Sequence, residues 1–432
     1  MQNQKRENLL NLALSATDEE RERSENLDVG YDPEERTWEL IVRHSGSLAG
    51  LAGAGIQVDE LLNGYAVLVV PEHLMDQVSE LNQIEYIEKP KRLFFASNMA
   101  RAASCLSVVQ SPSGTGNVTG GIISGLSGGL TGRGVLVAVI DSGIDYLNQD
   151  FRNEDGSTRI LMLMDQDRGR IYTREEINEA LDAPDRAGAL ERVPSVDLSG
   201  HGTAVAAIAA GNGRGSQGVY RGVAYESDLL VVKLGAPLAD NFPRTTQLMK
   251  GLDFVIRQAQ ELGRPVAVNL SFGNTYGSHD GTSLLETFMN DISNYGRSVL
   301  VAGTGNEGTG NGHTAGRLVM GSDTDVELSI APFETGMGVQ LWKSYVDAFA
   351  IRLITPSGGT IGPIDSRLGP QTLNYGGTRI LIYYGKPSPY SKAQEVYFDF
   401  IPIRDYLDSG IWTFRLTPER IVTGQYDMWL PS

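Results

Sequence analysis

From residue 134 onward the sequence alternates apolar runs with helical patterns, and this alternation constrains the fold more than any other feature. Four runs have the composition of buried strands: GVLVAVIDSGID, DLLVVKLG, PVAVNLSFG and SVLVAGTGNEG. Helical patterns, among them TAVAAIAAG and TTQLMKGLDFVIRQAQEL, lie between these runs. Apolar strands that alternate with helices indicate a parallel sheet covered by helices on both faces. We therefore predict an α/β domain over residues 97–316.

The residues before this domain follow a second pattern. TWELIVRH, IQVDELL, YAVLVVP and IEYIEKP have the alternation of strands, and SLAGLAGAG and EHLMDQVSELN that of helices. The resulting order, βαββαβ, is the split ferredoxin-like unit. We predict a separate small domain over residues 1–96, joined to the α/β domain by a linker rich in Gly and Ser.

A third pattern begins after Gly316. Short apolar runs such as DVELSIAPF, AFAIRLITPSG and EVYFDFIPI are separated by Gly, Pro and Asp turns. Such spacing is typical of an antiparallel sandwich. We predict a jelly-roll-like β domain over residues 317–432.

Composition excludes several classes of protein. The net charge of −17 argues against nucleic acid as a partner, because phosphate binding needs a positive field. The single cysteine, Cys105, excludes an internal disulfide and is interpreted as a small buried side chain. The N-terminal apolar run is short and followed by charge, which argues against a secretory signal, and no run is long enough to cross a membrane. We expect a protein kept inside a cell or a cell-derived compartment.

Three polar residues follow apolar strands or open a helix. Asp141 ends VLVAVID, His201 begins HGTAVAAIAAG, and Asn306 lies in VLVAGTGNEG. Each alone is more often structural, as a turn, a cap or a left-handed residue. Open α/β sheets, however, place their sites at the carboxyl ends of strands.

Taken together and in this order, these stretches resemble the subtilisin-like serine proteases, or subtilases. GVAYESDLLVVKLG and VNLSFG match as well, so the resemblance runs over about residues 37–316. It implies that Asp141 orients His201, that His201 acts as general base, and that Asn306 donates to the oxyanion. It also implies that Ser271, Phe272 and Gly273 pair with substrate backbone. Gly303, Thr304 and Gly305 would line the pocket for the substrate side chain before the cut bond.

The nucleophilic serine is the missing part of this pattern. Ser283 lies in GTSLLE but precedes Asn306, whereas the family places its nucleophile after the oxyanion asparagine. With Glu286 three residues later, Ser283 is interpreted as a helix cap. No Gly-Thr-Ser-x-Ala occurs up to Ser432. We expect a cleaved fragment, a truncated chain or a nucleophile-less relative, with a C-terminal fragment as one source of the nucleophile.

The overall layout resembles the clostridial Csp germination proteases. That resemblance implies an inhibitory propeptide cut near Ala96–Ser97, a protein substrate (the precursor of a spore-cortex hydrolase), and a cytoplasmic or spore-associated location in a bacterium. A pseudoprotease that acts as a binding or signalling module stays open as the alternative. A metal hydrolase is the weakest reading, because His201 lacks a second histidine at ligand spacing and His313 is interpreted as a loop residue. No metal ligand is assigned. Subtilases often hold structural calcium, but no loop here specifies it.

Overall fold

A computed structural model describes residues 4–95, 130–234, 243–305 and 310–430. By its contacts the chain divides into two units. The first comprises Met1–Arg92, Asn274–Phe288 and Glu307–Ser432, and the second comprises Leu93–Gly273 and Met289–Asn306. The Gly- and Ser-rich linker and Cys105 lie outside the described residues.

The second unit is built on a six-stranded sheet. Its strands are β7 (Leu136–Asp141), β8 (Ile160–Asp165), β9 (Arg170–Thr173), β10 (Asp228–Lys233), β11 (Val266–Leu270) and β13 (Ser298–Ala302). Their order is β13-β11-β7-β10-β8-β9, and every neighbouring pair except β8–β9 is parallel. All six residues of β7 are buried, which is why this central strand has the continuous apolar sequence predicted for it.

Helices and one short ribbon complete the second unit. The helices are α5 (Arg174–Leu181), α6 (Arg186–Arg192), α7 (His201–Ala210) and α8 (Thr245–Glu261). The ribbon pairs β6 (Phe94–Phe95) with β12 (Phe272–Gly273) in antiparallel register. The predicted α/β fold with a parallel sheet is confirmed. The β8–β9 hairpin and helices α5 and α6 are additions that the sequence analysis did not predict.

The first unit contains the βαββαβ domain. Its elements are α1 (Asn8–Ser15), α2 (Asp18–Arg23), β1 (Tyr31–Asp32), β2 (Thr37–His44), α3 (Ala49–Ala52), β3 (Gln57–Leu61), β4 (Tyr65–Pro71), α4 (Met75–Glu80) and β5 (Ile84–Glu88). The strands pair in the order β5-β2-β4-β3, with β1 also on β2. Asn63 and Gly64 make the turn between β3 and β4, both with positive φ (61° and 72°).

The same unit contains an antiparallel sandwich. Its strands are β14 (His313–Arg317), β15 (Thr324–Ile330), β16 (Met337–Ser344), β17 (Ala348–Ile354), β18 (Thr360–Ile361), β19 (Gly369–Tyr375), β20 (Thr378–Tyr384), β21 (Ala393–Pro402), β22 (Gly410–Arg420) and β23 (Gln425–Trp429). One sheet has the order β14-β23-β16-β21-β20-β19 and the other β15-β22-β17-β18. Both sheets contribute to one apolar core, which includes Leu341, Phe398 and Trp412. The predicted sandwich is confirmed, whereas its jelly-roll connectivity stays a prediction.

The N-terminal helix α1 shares a core with the sandwich. Leu9 and Leu10 of α1 are buried in the cluster that holds Trp38 of β2 together with Tyr383 and Tyr397 of the sandwich. Hydrogen bonds reinforce the contact: Arg23 Nη1 donates to the carbonyl of Pro402 at 3.0 Å. Helix α1, which precedes the strands of the βαββαβ domain, therefore packs into a core that also contains residues more than 360 positions later in the chain. The predicted borders of the three domains remain predictions.

Candidate active site

Asp141 occupies the carboxyl end of the central strand β7. Its side chain is fully buried, and Oδ1 accepts a hydrogen bond from the backbone N–H of Ser142 at 2.7 Å. In register, Ile140 lies beside Leu270 of β11, and Asp141 lies beside Lys233 of β10. The carboxylate thus projects at the edge of the sheet where ligands of open α/β folds bind.

Helix α7 brings His201 to this carboxylate. Nδ1 of His201 lies 2.7 Å from Oδ1 of Asp141, and the imidazole is 16% exposed. The helix is entered through Gly200, whose φ of +74° favours glycine. Gly202 then packs so closely that an added Cβ would lie 2.2 Å from the carbonyl oxygen of Gly143. The small residues at the start of α7 therefore allow the approach that joins His201 to Asp141.

The hydrogen bond sets the proton positions in the pair. Burial raises the pKa of Asp141, and the hydrogen bonds from His201 and from Ser142 N–H oppose that rise. An ionised carboxylate only accepts hydrogen bonds. The neutral imidazole of His201 consequently carries its proton on Nδ1, which leaves Nε2 as the basic nitrogen.

Asp197 accepts hydrogen bonds from the turn after Asp141 and from the helix that carries His201. The sequence analysis did not identify this residue. Its Oδ1 accepts from Ser142 Oγ (2.8 Å) and Gly200 N (2.9 Å), and its Oδ2 accepts from Thr203 N (2.9 Å) and Oγ1 (2.7 Å). The available signal was an aspartate four residues before His201, at the entrance of a helix rich in small residues.

The proposed substrate strand follows β11. Phe272 and Gly273 form β12, which pairs with β6 so that Phe272 lies opposite Phe95 and Gly273 opposite Phe94. Ser271 precedes this ribbon, and its Oγ accepts a hydrogen bond from Asn269 Nδ2 at 2.8 Å. Strand β12 is therefore occupied by the chain's own residues just before the predicted cleavage site.

The residues predicted to line the side-chain pocket follow β13, the strand next to β11. The N–H of Gly303 donates to the carbonyl of Leu270 at 3.0 Å, so the two strand ends are held together. Gly303, Thr304 and Gly305 are all exposed, and Gly305 has a φ of +90°. Asn306, Ala96 and Ser97 lie outside the described residues, and their roles stay predictions.

Ser283 is a helix cap, as its sequence indicates. Helix α9 spans Leu284–Ser293, so Ser283 directly precedes it. The N–H of Ser283 donates to Glu286 Oε2 at 3.0 Å, and the N–H of Glu286 donates to Ser283 Oγ at 3.3 Å. These two bonds make the capping box, and the hydroxyl also donates to Glu286 Oε2 at 2.7 Å.

The interpretation of His313 as a loop residue is wrong. His313 begins strand β14, where its Nε2 lies 3.1 Å from Asp427 Oδ1 and its ring stacks on Trp429 at 3.7 Å. Pairing of β14 with β23 imposes extended structure on a sequence rich in glycine.

Two further findings concern metals and membranes. Within the four described ranges, no group of three or more His, Cys, Asp or Glu side chains is arranged to hold a metal ion. Among the helices in those ranges, none is long and apolar enough to cross a membrane.

Comparison with known proteins agrees with this geometry. The model for the Csp protease B prodomain matches residues 4–91, and the model for the subtilase family matches residues 132–329. The structure of the Clostridium perfringens CspB protease matches with 33% identity and a TM-score of 0.65, over 70% of this chain and 62% of that one. The chain thus spans under two thirds of the CspB protease structure.

Other solved structures match more distantly. The S393A mutant of the epidermin leader peptide processing serine protease from Staphylococcus aureus is 14% identical, with a TM-score of 0.35 over 62% of this chain and 60% of that one. An S41 psychrophilic protease is 24% identical, with a TM-score of 0.29 over 41% and 48%.

The fold, the Asp141–His201 pair and the family match over residues 132–329 define a subtilase domain in this chain. Its prodomain and its similarity to the CspB protease make it a Csp-like subtilase, which confirms the resemblance found in the sequence.

Proposed function

We propose that this chain provides the acid–base pair and the substrate strand of a subtilisin-type serine endopeptidase that acts on a protein substrate. The observation that carries the proposal is the 2.7 Å contact between His201 Nδ1 and Asp141 Oδ1 at the carboxyl edge of the sheet. The substrate-like pairing of β6 with β12 supports it, because an extended peptide added to an exposed strand is a common mode of peptide recognition.

The chemistry would follow the serine-protease scheme. His201 Nε2 takes the proton from a serine hydroxyl as its oxygen attacks the scissile carbonyl, and Asp141 stabilises the imidazolium. Asn306 donates to the oxyanion of the tetrahedral intermediate. His201 then gives its proton to the leaving amine, which breaks the peptide bond and leaves an acyl-enzyme. Water, activated by the same imidazole, hydrolyses that ester and restores the serine.

The nucleophile is proposed to lie outside these 432 residues, on a C-terminal fragment. Ser283 is engaged as the cap of α9, and no Gly-Thr-Ser-x-Ala stretch occurs elsewhere. The edge strand β13 supports this proposal, because Val299 and Val301 are 59% and 52% exposed. Exposed valines on a strand of a parallel sheet fit a surface that a further element covers.

The propeptide is proposed to end at Ala96 and to act as an inhibitor. Phe94 and Phe95 pair with β12, so Ala96 follows as the residue on the acyl side of the cut bond. Because helix α1 shares a core with the sandwich, cleavage would leave the propeptide held without a covalent bond. As in the Csp resemblance, the substrate would be a spore-cortex hydrolase precursor, and the location cytoplasmic or spore-associated in a bacterium.

Fluorophosphonate labelling of the naturally expressed protein tests this proposal. We expect a label on a serine in a Gly-Thr-Ser-x-Ala peptide, identified by mass spectrometry, and a loss of labelling in His201→Ala. The Asp155→Asn variant, which alters an exposed Asx turn of the same unit, should label like the wild type. Absence of a label on folded wild-type protein would refute the protease and favour the pseudoprotease. A label on Ser283 would contradict its role as a cap.

A further inference from the structure

The Asp197 carboxylate joins two segments that the proposed mechanism requires to stay at a fixed distance from each other. One is the first turn of α7, which carries His201, and the other is the turn that follows Asp141. Gly200 N and Thr203 N donate to Asp197 from the helix side, at 2.9 Å each. Ser142 Oγ donates to it from the strand side at 2.8 Å.

Ser142 extends this connection to the Asp141 carboxylate. Its hydroxyl accepts from Gly202 N at 2.9 Å while it donates to Asp197, and its own N–H donates to Asp141 Oδ1. Asp141 Oδ1 is the same atom that His201 Nδ1 contacts. A continuous set of hydrogen bonds therefore runs from Asp197 through Ser142 to the Asp141–His201 pair.

Thr203 adds a second branch. Its Oγ1 donates to Asp197 Oδ2 at 2.7 Å and accepts from the N–H of Asp145 at 2.8 Å. Asp145 follows Asp141 in the same loop, so helix and loop are tied at two places. Burial raises the pKa of Asp197, but the hydrogen bonds from Thr203, Ser142 and Gly200 outweigh it and hold that pKa below its usual range.

We propose that Asp197 is a positioning residue for the Asp141–His201 pair: its carboxylate holds the α7 entrance and the Asp141 turn at the separation that the Nδ1–Oδ1 hydrogen bond needs. The inference rests on the proposed function for its catalytic consequence only. Asp197 touches neither β12 nor the reacting atoms, and it acts through Ser142 and the backbone of α7.

An asparagine cannot replace Asp197, because both of its oxygens accept from backbone N–H groups. In Asp197→Asn, one oxygen becomes an NH₂ group, which donates and does not accept. Whichever way the amide is turned, it faces the N–H of either Gly200 or Thr203. A hydroxyl could rotate away, but a backbone N–H in the first turn of a helix cannot. The helix entrance must therefore shift.

The test measures the hydrogen bond between His201 and Asp141 by NMR and the kinetics of hydrolysis in a separate assay. In the full chain, the Nδ1 proton of His201 is followed by NMR and assigned with His201→Gln, since the chain has five histidines. We expect a protected, downfield signal in the wild type and its loss in Asp197→Asn. With the nucleophile-bearing preparation, kcat should fall about 10²-fold and KM should stay unchanged, because the substrate strand is untouched. Asp155→Asn is the matched control and should change neither.

The outcomes separate the two proposals. Loss of the proton signal in a folded Asp197→Asn supports the positioning role even if the wild type shows no hydrolysis. The absence of hydrolysis by the wild type would contradict only the proposed function. Retention of the signal in a folded Asp197→Asn overturns the positioning role, whether or not the wild type hydrolyses substrate. If Asp197→Asn does not fold, Ser142→Ala decides, since it removes the two hydrogen bonds of the Ser142 hydroxyl and keeps the bonds from Gly200 N and Thr203 N to Asp197. It should weaken the same signal, and an unchanged signal there overturns the proposal as well.

Discussion

Gly202 approaches Gly143 so closely that the two backbones are in contact without any side chain between them. A Cβ on Gly202 would lie 2.2 Å from the carbonyl oxygen of Gly143 and 3.1 Å from the Cβ of Asp141. Backbone cannot move aside as a flexible side chain can. The distance between His201 and Asp141 therefore depends on the absence of one methyl group.

Replacing Gly202 with alanine should separate α7 from the turn after β7. We expect Gly202→Ala to destabilise the fold by about 1–3 kcal/mol, the range for overpacking, and to abolish fluorophosphonate labelling. Thermal unfolding and labelling measure the two effects. Gly188→Ala is the matched control, because Gly188 lies inside helix α6 and its added Cβ meets only ordinary contacts from 3.4 Å. That change should be neutral or stabilise by about 0.5–1 kcal/mol.

Pairing of β6 with β12 should be needed for propeptide cleavage. The double change Phe94→Pro/Phe95→Pro removes both N–H groups of β6 and hence its share of the ladder. We expect the fraction of chains that begin at Ser97, measured by intact mass, to fall at least about tenfold. Phe94→Val/Phe95→Val keeps both N–H groups and should be cut more readily than the proline pair. Equal cleavage of the two pairs would argue against strand addition.

The cap at Ser283 should affect stability and not chemistry. Ser283→Ala removes the hydroxyl that accepts from Glu286 N–H, and a lost N-cap costs about 1 kcal/mol. We expect that loss in denaturant unfolding, with labelling of the nucleophile unchanged. Ser283→Thr retains a hydroxyl and should recover most of the stability. A loss of labelling in the alanine variant would reopen Ser283 as a reacting group.

Buried carboxylates of the first unit should make its stability depend on pH. Burial raises the pKa of Glu395 from 4.5 to about 7, against hydrogen bonds from Gln340 Nε2 and Asn8 Nδ2. Because the folded state then binds its proton more tightly than the unfolded state, stability should fall as the pH rises from about 4.5 to 7. Burial raises the pKa of Asp399 to about 7 as well, with the same sign.

Glu395→Gln tests this dependence. The variant cannot ionise, its oxygen can still accept from Gln340, and the Asn8 amide can turn to accept from the new NH₂. Between pH 5 and 7 the wild type should lose about 2 kcal/mol more unfolding free energy than the variant. Burial lowers the pKa of Lys89 to about 7, but this lysine is present in the wild type and in the variant, so its titration cancels in the difference between them. Glu327→Gln, at an exposed position of the sandwich, should match the wild type, and parallel profiles for all three proteins would refute the assignment.

Sequence patterns were sufficient to predict the features that depend on adjacent residues or lie at the end of a strand. The apolar run that ends in Asp141, the small residues after His201 and the Ser283–Glu286 spacing each carry their structural reason in adjacent residues. The βαββαβ order also followed from periodicity, since each of its strands alternates or is continuously apolar.

What the sequence left undetermined depends on distant partners. The apolar residues of NLLNLALS have helical spacing, but the surface that they cover is made by residues near 381–401. His313 is in a strand only because β23 pairs with it, and Asp197 is informative only once Ser142 and Thr203 are seen beside it. A single sequence contains the residues of such contacts but not their adjacency.

The core that helix α1 shares with the sandwich has a consequence for synthesis. Helix α1 leaves the ribosome before the sandwich, and Tyr383 and Tyr397, which share its core, follow more than 360 residues later. At about 5–20 residues per second, that separation corresponds to roughly 20–80 s. During that interval the face of helix α1 that packs on the sandwich has no partner, so the helix completes its packing only after the sandwich has been synthesised.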